Sequence, residues 1–537
     1  MQSNVRLYGA RRPRRRRGRR LLAVLLVLAA AGAAVAAGVI WWSGATLAQD
    51  PVALARIELQ PLAGSLESAK AFRGNGSRIP IAARRGRLVP QTLLAPGEKV
   101  SVVVVVRRPR WLGWALGRDR TERLTLKTPV AVPTERWLTV PTGSPLRVRF
   151  TEHVAKLAYA HHVVTAHGAR VVSLGQQATS GTLEVASAAR SWERLGPRVR
   201  LTWFPKSQLP VVLTTPAPTH RIPPRTPIRL TFSQPIDKAL GEDQPHFSSD
   251  VKGSWHPVDS HTLVFTPSGY GFPFASRLQL QLPRAFAVST PTKTTAARAI
   301  EWNVAGASFM RVQQLLAEAG YLPVSWAPSN DPVPRELTAQ LDAAVSPPDG
   351  TFSWRYPNTP PELQRLWAPG QPNDITRGAV MMFQDEHGLD VDGIVGPRVW
   401  HALLENALAG KRRDDGYSYV YVHRNVPQLL TLWHNGSVVL TSPGNTGVPV
   451  APTQLGTFPV FEHIPVGTMS GTNPDGSHYN DPGIRWISYF NGGDALHAFN
   501  RASFGTPQSL GCVELPLAAA AKVWPYTPIG TLVTIEN

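Results

Sequence analysis

Between Leu21 and Trp42 the chain carries no charged residue and is built mainly of leucine, alanine and valine. No other feature restricts the fold as much. At about 1.5 Å per helical residue such a segment crosses a hydrocarbon layer roughly 30 Å thick. Arg6 and the eight arginines between Arg11 and Arg20 precede it, and by the positive-inside rule they stay cytoplasmic. Trp41 and Trp42 suit the far interface, so the residues beyond are expected outside the cytoplasm. A cleavable signal sequence is the competing reading, because Thr46-Leu47-Ala48 offers small residues before Gln49. Against it, the apolar stretch exceeds the roughly 7 to 15 residues of a usual signal core, and no cysteine stands near it to accept lipid. The net charge of +20 therefore reads largely as a topology signal in the tail 1–20, and no nucleic-acid partner is expected.

The 537 residues are too many for one core and imply about three to five modules. Fifty prolines and 44 glycines favour strands and turns over long helices. The expected fold class is multi-domain and mainly β: an N-terminal transmembrane helix, β-sandwich modules, a small three-helix domain and a β-rich C-terminal domain. Residues 51–130 read as a β module, with alternation in "RIPIAARRGRLVP" and a β-branched run in "EKVSVVVVVRRP". Trp111 and Trp114 in "RWLGWALG" fall between strands and are read as a packing cluster.

A short internal repeat follows. Ser144-Pro145-Leu146-Arg147-Val148-Arg149-Phe150-Thr151 aligns with Thr226-Pro227-Ile228-Arg229-Leu230-Thr231-Phe232-Ser233, 82 residues later. Two β-sandwich modules, 131–215 and 216–304, are expected. With Phe232-Ser233-Gln234-Pro235 after the strand, they resemble the immunoglobulin-like domains of bacterial surface proteins, which implies a spacer role. His161, His162 and His167 read as surface residues rather than metal ligands.

Near residue 305 the pattern turns helical. Met310, Val312, Leu315, Leu316 and Ala319 recur at helical spacing, with Gly320 as a stop signal. Further helices are read in "TRGAVMMFQDEHG" and, with Pro397 near its start, "GPRVWHALLENAL". The run from Ala379 through Phe383-Gln384 to Gly388-Leu389-Asp390-Val391-Asp392-Gly393-Ile394-Val395-Gly396-Pro397 resembles the three-helix peptidoglycan-binding domain, placed at 305–410. An insertion from about Val324 to Asn373 departs from the compact family form. Lys411 to Asp415 read as a charged hinge.

The segment 415–537 returns to β patterning, with an Asn435-Gly436 hairpin signal. It holds the only cysteine of the chain, Cys512, in Ser509-Leu510-Gly511-Cys512-Val513-Glu514. Exported proteins normally use cysteines in pairs, so a solitary thiol is either a buried small side chain or a reactive group. A free thiol with a pKa of about 8.5 is only slightly ionised at neutral pH and needs an imidazole to stabilise or generate the anion. His497 lies fifteen residues upstream. Gly511, lacking Cβ, permits a tight turn and close approach of a carbonyl. Backbone N–H groups there could face an oxyanion, each worth roughly 2.7 to 4 kcal/mol in known acyl-transfer sites.

Together with Thr446-Gly447 and Pro452-Thr453-Gln454-Leu455-Gly456-Thr457-Phe458, this arrangement resembles the L,D-transpeptidase catalytic domain, whose pattern is a histidine, a spacer and Ser-His-Gly-Cys. The resemblance implies Cys512 as nucleophile, His497 as proton acceptor, Ser509 and Gly511 shaping the turn, and no metal or cofactor. It also implies acyl transfer in two steps: the thiolate attacks the third residue of a donor tetrapeptide, D-alanine leaves, and an amine resolves the thioester into a 3→3 cross-link. Three positions depart from the pattern: Leu510 replaces its second histidine, Glu514 its arginine or asparagine, and Ala498 its glycine. The polar segment Glu462 to Trp486 is expected to be a substrate-covering loop, with His478 and Tyr479 as candidates to reach substrate.

The expectation is a single-pass cell-membrane protein with its C-terminal region in the wall, whose partners are peptidoglycan stem peptides and glycan. An L,D-carboxypeptidase and a non-catalytic wall-binding scaffold are the alternatives.

Overall fold

A computed structural model describes residues 16–537. The basic tail therefore lies mostly outside the described residues. The described residues divide into two compact units, one running up to Leu213 with Ala287–Thr295, the other Thr214–Phe286 with Ala296–Asn537.

In the first unit a helix, Arg16–Trp42, includes an apolar span, Leu22–Trp42, that is long enough to cross a membrane; a signal sequence would meet the same criterion. Strand Ala45–Gln49 begins two residues after the helix and pairs with Ala55–Leu59 in a four-stranded sheet. A second four-stranded sheet is centred on Ser65–Arg73 and Lys99–Arg107. The period-2 rule shows in Lys99–Arg107, where Val100, Val102, Val104 and Val106 are buried among Leu54, Ile57 and Leu88 while their neighbours are part-exposed. Trp111 and Trp114 do not join this core: they are 60% and 86% exposed on a short helix, Arg110–Leu116. They are not the packing cluster expected from sequence. A five-stranded sheet follows, in which Val148, Phe150, Leu157 and Leu201 supply a separate core.

In the second unit the later copy of the repeat forms strand Ile228–Phe232, whereas the earlier copy opens a longer strand, Arg147–Tyr159. The phenylalanine of each copy, Phe150 and Phe232, is buried. The helical region contains Phe309–Glu318, Asp374–Glu386 and Pro397–Ala409. Gly320 lies just past the first helix with φ of 87°, Asn373 caps the second by accepting from Thr376 N at 2.9 Å, and Pro397 opens the third. The insertion is itself ordered. It adds a hairpin, Val324–Pro328 with Gly350–Trp354, and a helix, Leu337–Val345.

This region shares its core with the domain that follows. Leu315, Leu316, Val380, Phe383 and Leu403 pack in one cluster with Tyr417, Tyr419, Trp433 and Leu532 of the C-terminal domain. Gly378 and Gly530 mark the seam, since a Cβ on either would collide with the other's carbonyl oxygen. The expected hinge is tied down: Arg413 donates to Glu386 at 2.8 Å and to the Gly416 carbonyl at 2.9 Å, and its own amide donates to Ala319. Shared burial, not a flexible connection, joins the two regions.

The C-terminal domain is two sheets around one core. Strands Ser418–His423 and Leu532–Glu536 run parallel at the centre of a five-stranded sheet, and the Asn435-Gly436 turn adopts positive φ at both residues. The second sheet contains Glu462–Thr472, His478–Asn491, Asp494–Ala498 and Val513–Leu515 in that order. The segment expected as a loop is thus a long β-hairpin.

Candidate active site

The last two strands of the second sheet position the chemistry. Along Asp494–Ala498, Leu496 and Ala498 enter the core, so His497 points to the opposite face. Val513 and Leu515 enter the same core, which turns Cys512 and Glu514 outward in the same sense. The strands are parallel, with Leu496 opposite Val513 and His497 opposite Glu514. His497, Cys512 and Glu514 accordingly line one cavity of about 410 Å³, together with Asp494, Arg501 and Ser509.

The turn before the strand is rigidly made. Gly511 has φ of 119°, and a Cβ there would collide with the Asp494 carboxylate, so the position requires glycine. Ser509 is buried, and its hydroxyl donates to the Cys512 carbonyl at 2.5 Å. Behind it, Thr453 accepts from Gly447 N at 2.8 Å, and Asn445 exchanges backbone hydrogen bonds with Glu514. The Thr446-Gly447 and Thr453 signals in the sequence are therefore supports of the cysteine turn.

His497 is 3% exposed, and its Nδ1 lies 3.0 Å from the Ala498 carbonyl. A carbonyl only accepts, so Nδ1 carries the proton and Nε2 is the basic nitrogen. Burial lowers the imidazole pKa below its usual 6.5. Burial also pushes the Cys512 thiol up to about 12, with a hydrogen bond from the Ala495 amide opposing and the Asp494 and Glu514 charges adding. The thiol itself makes a long contact, Sγ to the Gly493 carbonyl at 3.6 Å. Both shifts favour the uncharged forms, thiol and neutral imidazole.

Two further residues matter that sequence reasoning had not singled out. Arg501 grips Glu514 through two hydrogen bonds, 2.6 and 2.8 Å, and donates to the Gln508 carbonyl at 3.2 Å. The departure at Glu514 is thus balanced by a charge thirteen residues upstream; an arginine in "FNRASFG" was visible, its partner was not. Asp494 lines the cavity, and burial raises its carboxyl above the usual range. Of the hairpin candidates, Tyr479 lines the cavity, and burial is the first cause raising its phenol above the usual value. His478 is exposed and hydrogen-bonds Thr472 instead.

Residues 417–535 match the L,D-transpeptidase catalytic domain of the YkuD type. The C-terminal domain is an L,D-transpeptidase domain. Residues 368–403 match a peptidoglycan binding domain, covering the second and the first half of the third long helix of the helical region. No curated protein matches the chain. Among solved structures, an L,D-transpeptidase from Mycobacterium smegmatis is 14% identical, covering 61% of this chain and 99% of its own at a TM-score of 0.21. L,D-transpeptidase 3 from Mycobacterium tuberculosis, bearing a faropenem-derived adduct, is 11% identical over 60% and 97%, again at 0.21. The catalytic domain from the E. faecium L,D-transpeptidase is 24% identical over 23% of this chain and 98% of its own, at 0.21. The two domain matches support a transpeptidase role in peptidoglycan and a cell-wall location.

The Gln384 and Asp392 of the peptidoglycan-binding motif have a structural use. Gln384 is buried, donates to Asp392 at 2.7 Å and the Ile394 carbonyl at 3.2 Å, and accepts from the amides of Asp392 and Gly393. Its amide group is fully used in holding the Gly388–Gly396 loop.

Proposed function

We propose that the chain forms 3→3 peptidoglycan cross-links through a Cys512 thioester, releasing D-alanine from donor tetrapeptide stems. The observation that carries this reading is the shared cavity: the chain's single thiol and a buried imidazole with its Nε2 available face the same space.

Because burial keeps the thiol protonated, His497 acts as a general base during attack rather than as the partner of a standing thiolate. Nε2 takes the Sγ proton as the sulfur–carbon bond forms at the carbonyl of the third stem residue. The N–H groups of the Leu510–Cys512 turn receive the oxyanion. As the intermediate collapses, the carbon–nitrogen bond to D-alanine breaks and the imidazolium returns its proton to the leaving amine. An amine of a neighbouring stem then attacks the thioester; His497 takes the amine proton and passes it to the departing thiolate, restoring the resting pair. Ser509 and Gly511 keep the turn in shape. The Arg501–Glu514 pair satisfies a nearly buried carboxylate next to the base, which supports a working site over a decayed scaffold. In the cell, the helix Arg16–Trp42 anchors the chain, the β modules space it from the membrane, and the helical region holds glycan.

The test is intact-mass analysis of the solubilised full chain with a carbapenem and, separately, with a disaccharide-tetrapeptide. A mass adduct and D-alanine release in the wild type but not in Cys512→Ala support the reading, and product masses separate cross-linking from the trimming expected of an L,D-carboxypeptidase. A folded wild type giving neither adduct nor D-alanine overturns it in favour of the scaffold.

A further inference from the structure

The short helix that carries the two exposed indoles of the first unit is tied to the end of the apolar helix. Only Ser43 and Gly44 separate Trp42 from the first strand. The junction is braced: Leu62 N donates to the Trp42 carbonyl at 2.9 Å and Gln60 N to the Gly44 carbonyl at 3.0 Å. Arg120 hydrogen-bonds the Ile40 carbonyl in the last turn of that helix. Arg108 reaches the same junction, donating to the Ser43 hydroxyl at 3.0 Å and also to the Leu116 carbonyl. One arginine thus bridges the membrane end of the long helix and the last residue of the short helix Arg110–Leu116.

On that short helix Leu112 is buried, while Trp111 and Trp114, three residues apart on the outer face, are open. Trp114 is the most exposed large apolar side chain among the described residues. Arg110 and Arg118 stand exposed at either end. Indoles flanked by arginines suit the boundary between acyl chains and phosphate headgroups, where the ring is half dehydrated and the cation meets phosphate.

We propose that Arg110–Leu116 is a membrane-seating element, which lays Trp111 and Trp114 into the headgroup–acyl boundary of the bilayer crossed by Leu22–Trp42. The inference rests on the anchor reading of that helix. Its consequence is that the first β module sits on the membrane in a set orientation instead of swinging from a tether.

The full chain with Cys512→Ala has no thiol, so single cysteines can be spin-labelled at Ala115, Asn75 or Leu26 and the protein placed in phosphatidylcholine–phosphatidylglycerol vesicles. Ala115→Cys keeps both indoles. Asn75→Cys is a control, because Ser65 pairs with Arg107 and Arg73 with Val100, which puts residue 75 at the far end of the sheet, roughly 25 Å away at about 3.3 Å per residue. Leu26→Cys reports the anchor. The expected result is collision with a water-soluble nickel chelate several-fold lower at 115 than at 75, reversed towards the control when Trp111→Ala and Trp114→Ala are added. Equal access at 115 and 75 with Leu26 shielded overturns the seating and leaves the anchor standing. An accessible label at Leu26 overturns the anchor reading and the seating with it. Dipolar broadening at 115 that disappears on dilution with unlabelled chain shows a second copy covering the indoles, and also overturns the proposal.

Discussion

The Ser509–Cys512 turn and the Gly388–Gly396 loop are built alike and end in opposite states. Each is a glycine-bearing turn pinned from behind by buried polar side chains, Ser509 with Thr453 in one and Gln384 in the other. In the helical region every capacity of the Gln384 amide is used, so the loop is a closed structural latch. In the catalytic turn the supports are satisfied but the thiol is left with a long contact of 3.6 Å and a pKa pushed up to about 12. The difference lies in what the two turns hold: an amide with every capacity used in one, a thiol that burial keeps neutral in the other.

Removing the base should have the largest effect. His497→Ala is expected to lower the rate of acylation by a factor on the order of 10² to 10⁴ with the thermal transition little changed, read by stopped-flow quenching and calorimetry. If the rate survives, the turn alone activates the thiol and the contrast with the latch is lost.

Next is the buried carboxylate. Arg501→Ala leaves Glu514 without its counter-ion, at an expected cost of about 3 kcal/mol in urea denaturation, the low end of the range because Arg501 is 32% exposed. Arg501→Leu combined with Glu514→Leu should recover most of that stability, since no charge then remains buried.

Gln384→Ala opens the latch and strands the amides of Asp392 and Gly393, costing about 1 to 3 kcal/mol. Acylation of a soluble tetrapeptide should be unchanged. A parallel loss of acylation would show that the core shared by the two regions transmits the damage.

The pH profile sharpens the comparison most finely. His497 is held below 6.5, so the acylation rate should be flat above that value and fall by about tenfold per unit once the imidazole is protonated. Alkylation by iodoacetamide, which needs the thiolate, should instead keep rising towards pH 12. A plateau of alkylation near neutrality would indicate a standing thiolate–imidazolium pair.

Much of this was legible along the chain, because local rules act over a few residues. The apolar run Leu21–Trp42, the β-branched run within Lys99–Arg107, the helix signals at Pro397 and Gly320, and the Asn435-Gly436 turn each follow from backbone preference and side-chain chemistry. The cysteine, its histidine and the small-residue turn could be picked out for the same reason, as chemistry concentrated in a few positions. Tertiary structure alone decided the rest, since register and burial depend on which distant segments meet. It placed His497 across from Glu514, supplied Arg501 as the counter-charge to a residue that looked like a defect, folded Glu462–Asn491 into a hairpin, and merged the helical and catalytic regions into one core. It also left Trp111 and Trp114 outside, because an amphipathic turn of seven residues can present its indoles inward or outward, and only the position of Leu112 in the packed interior settles which.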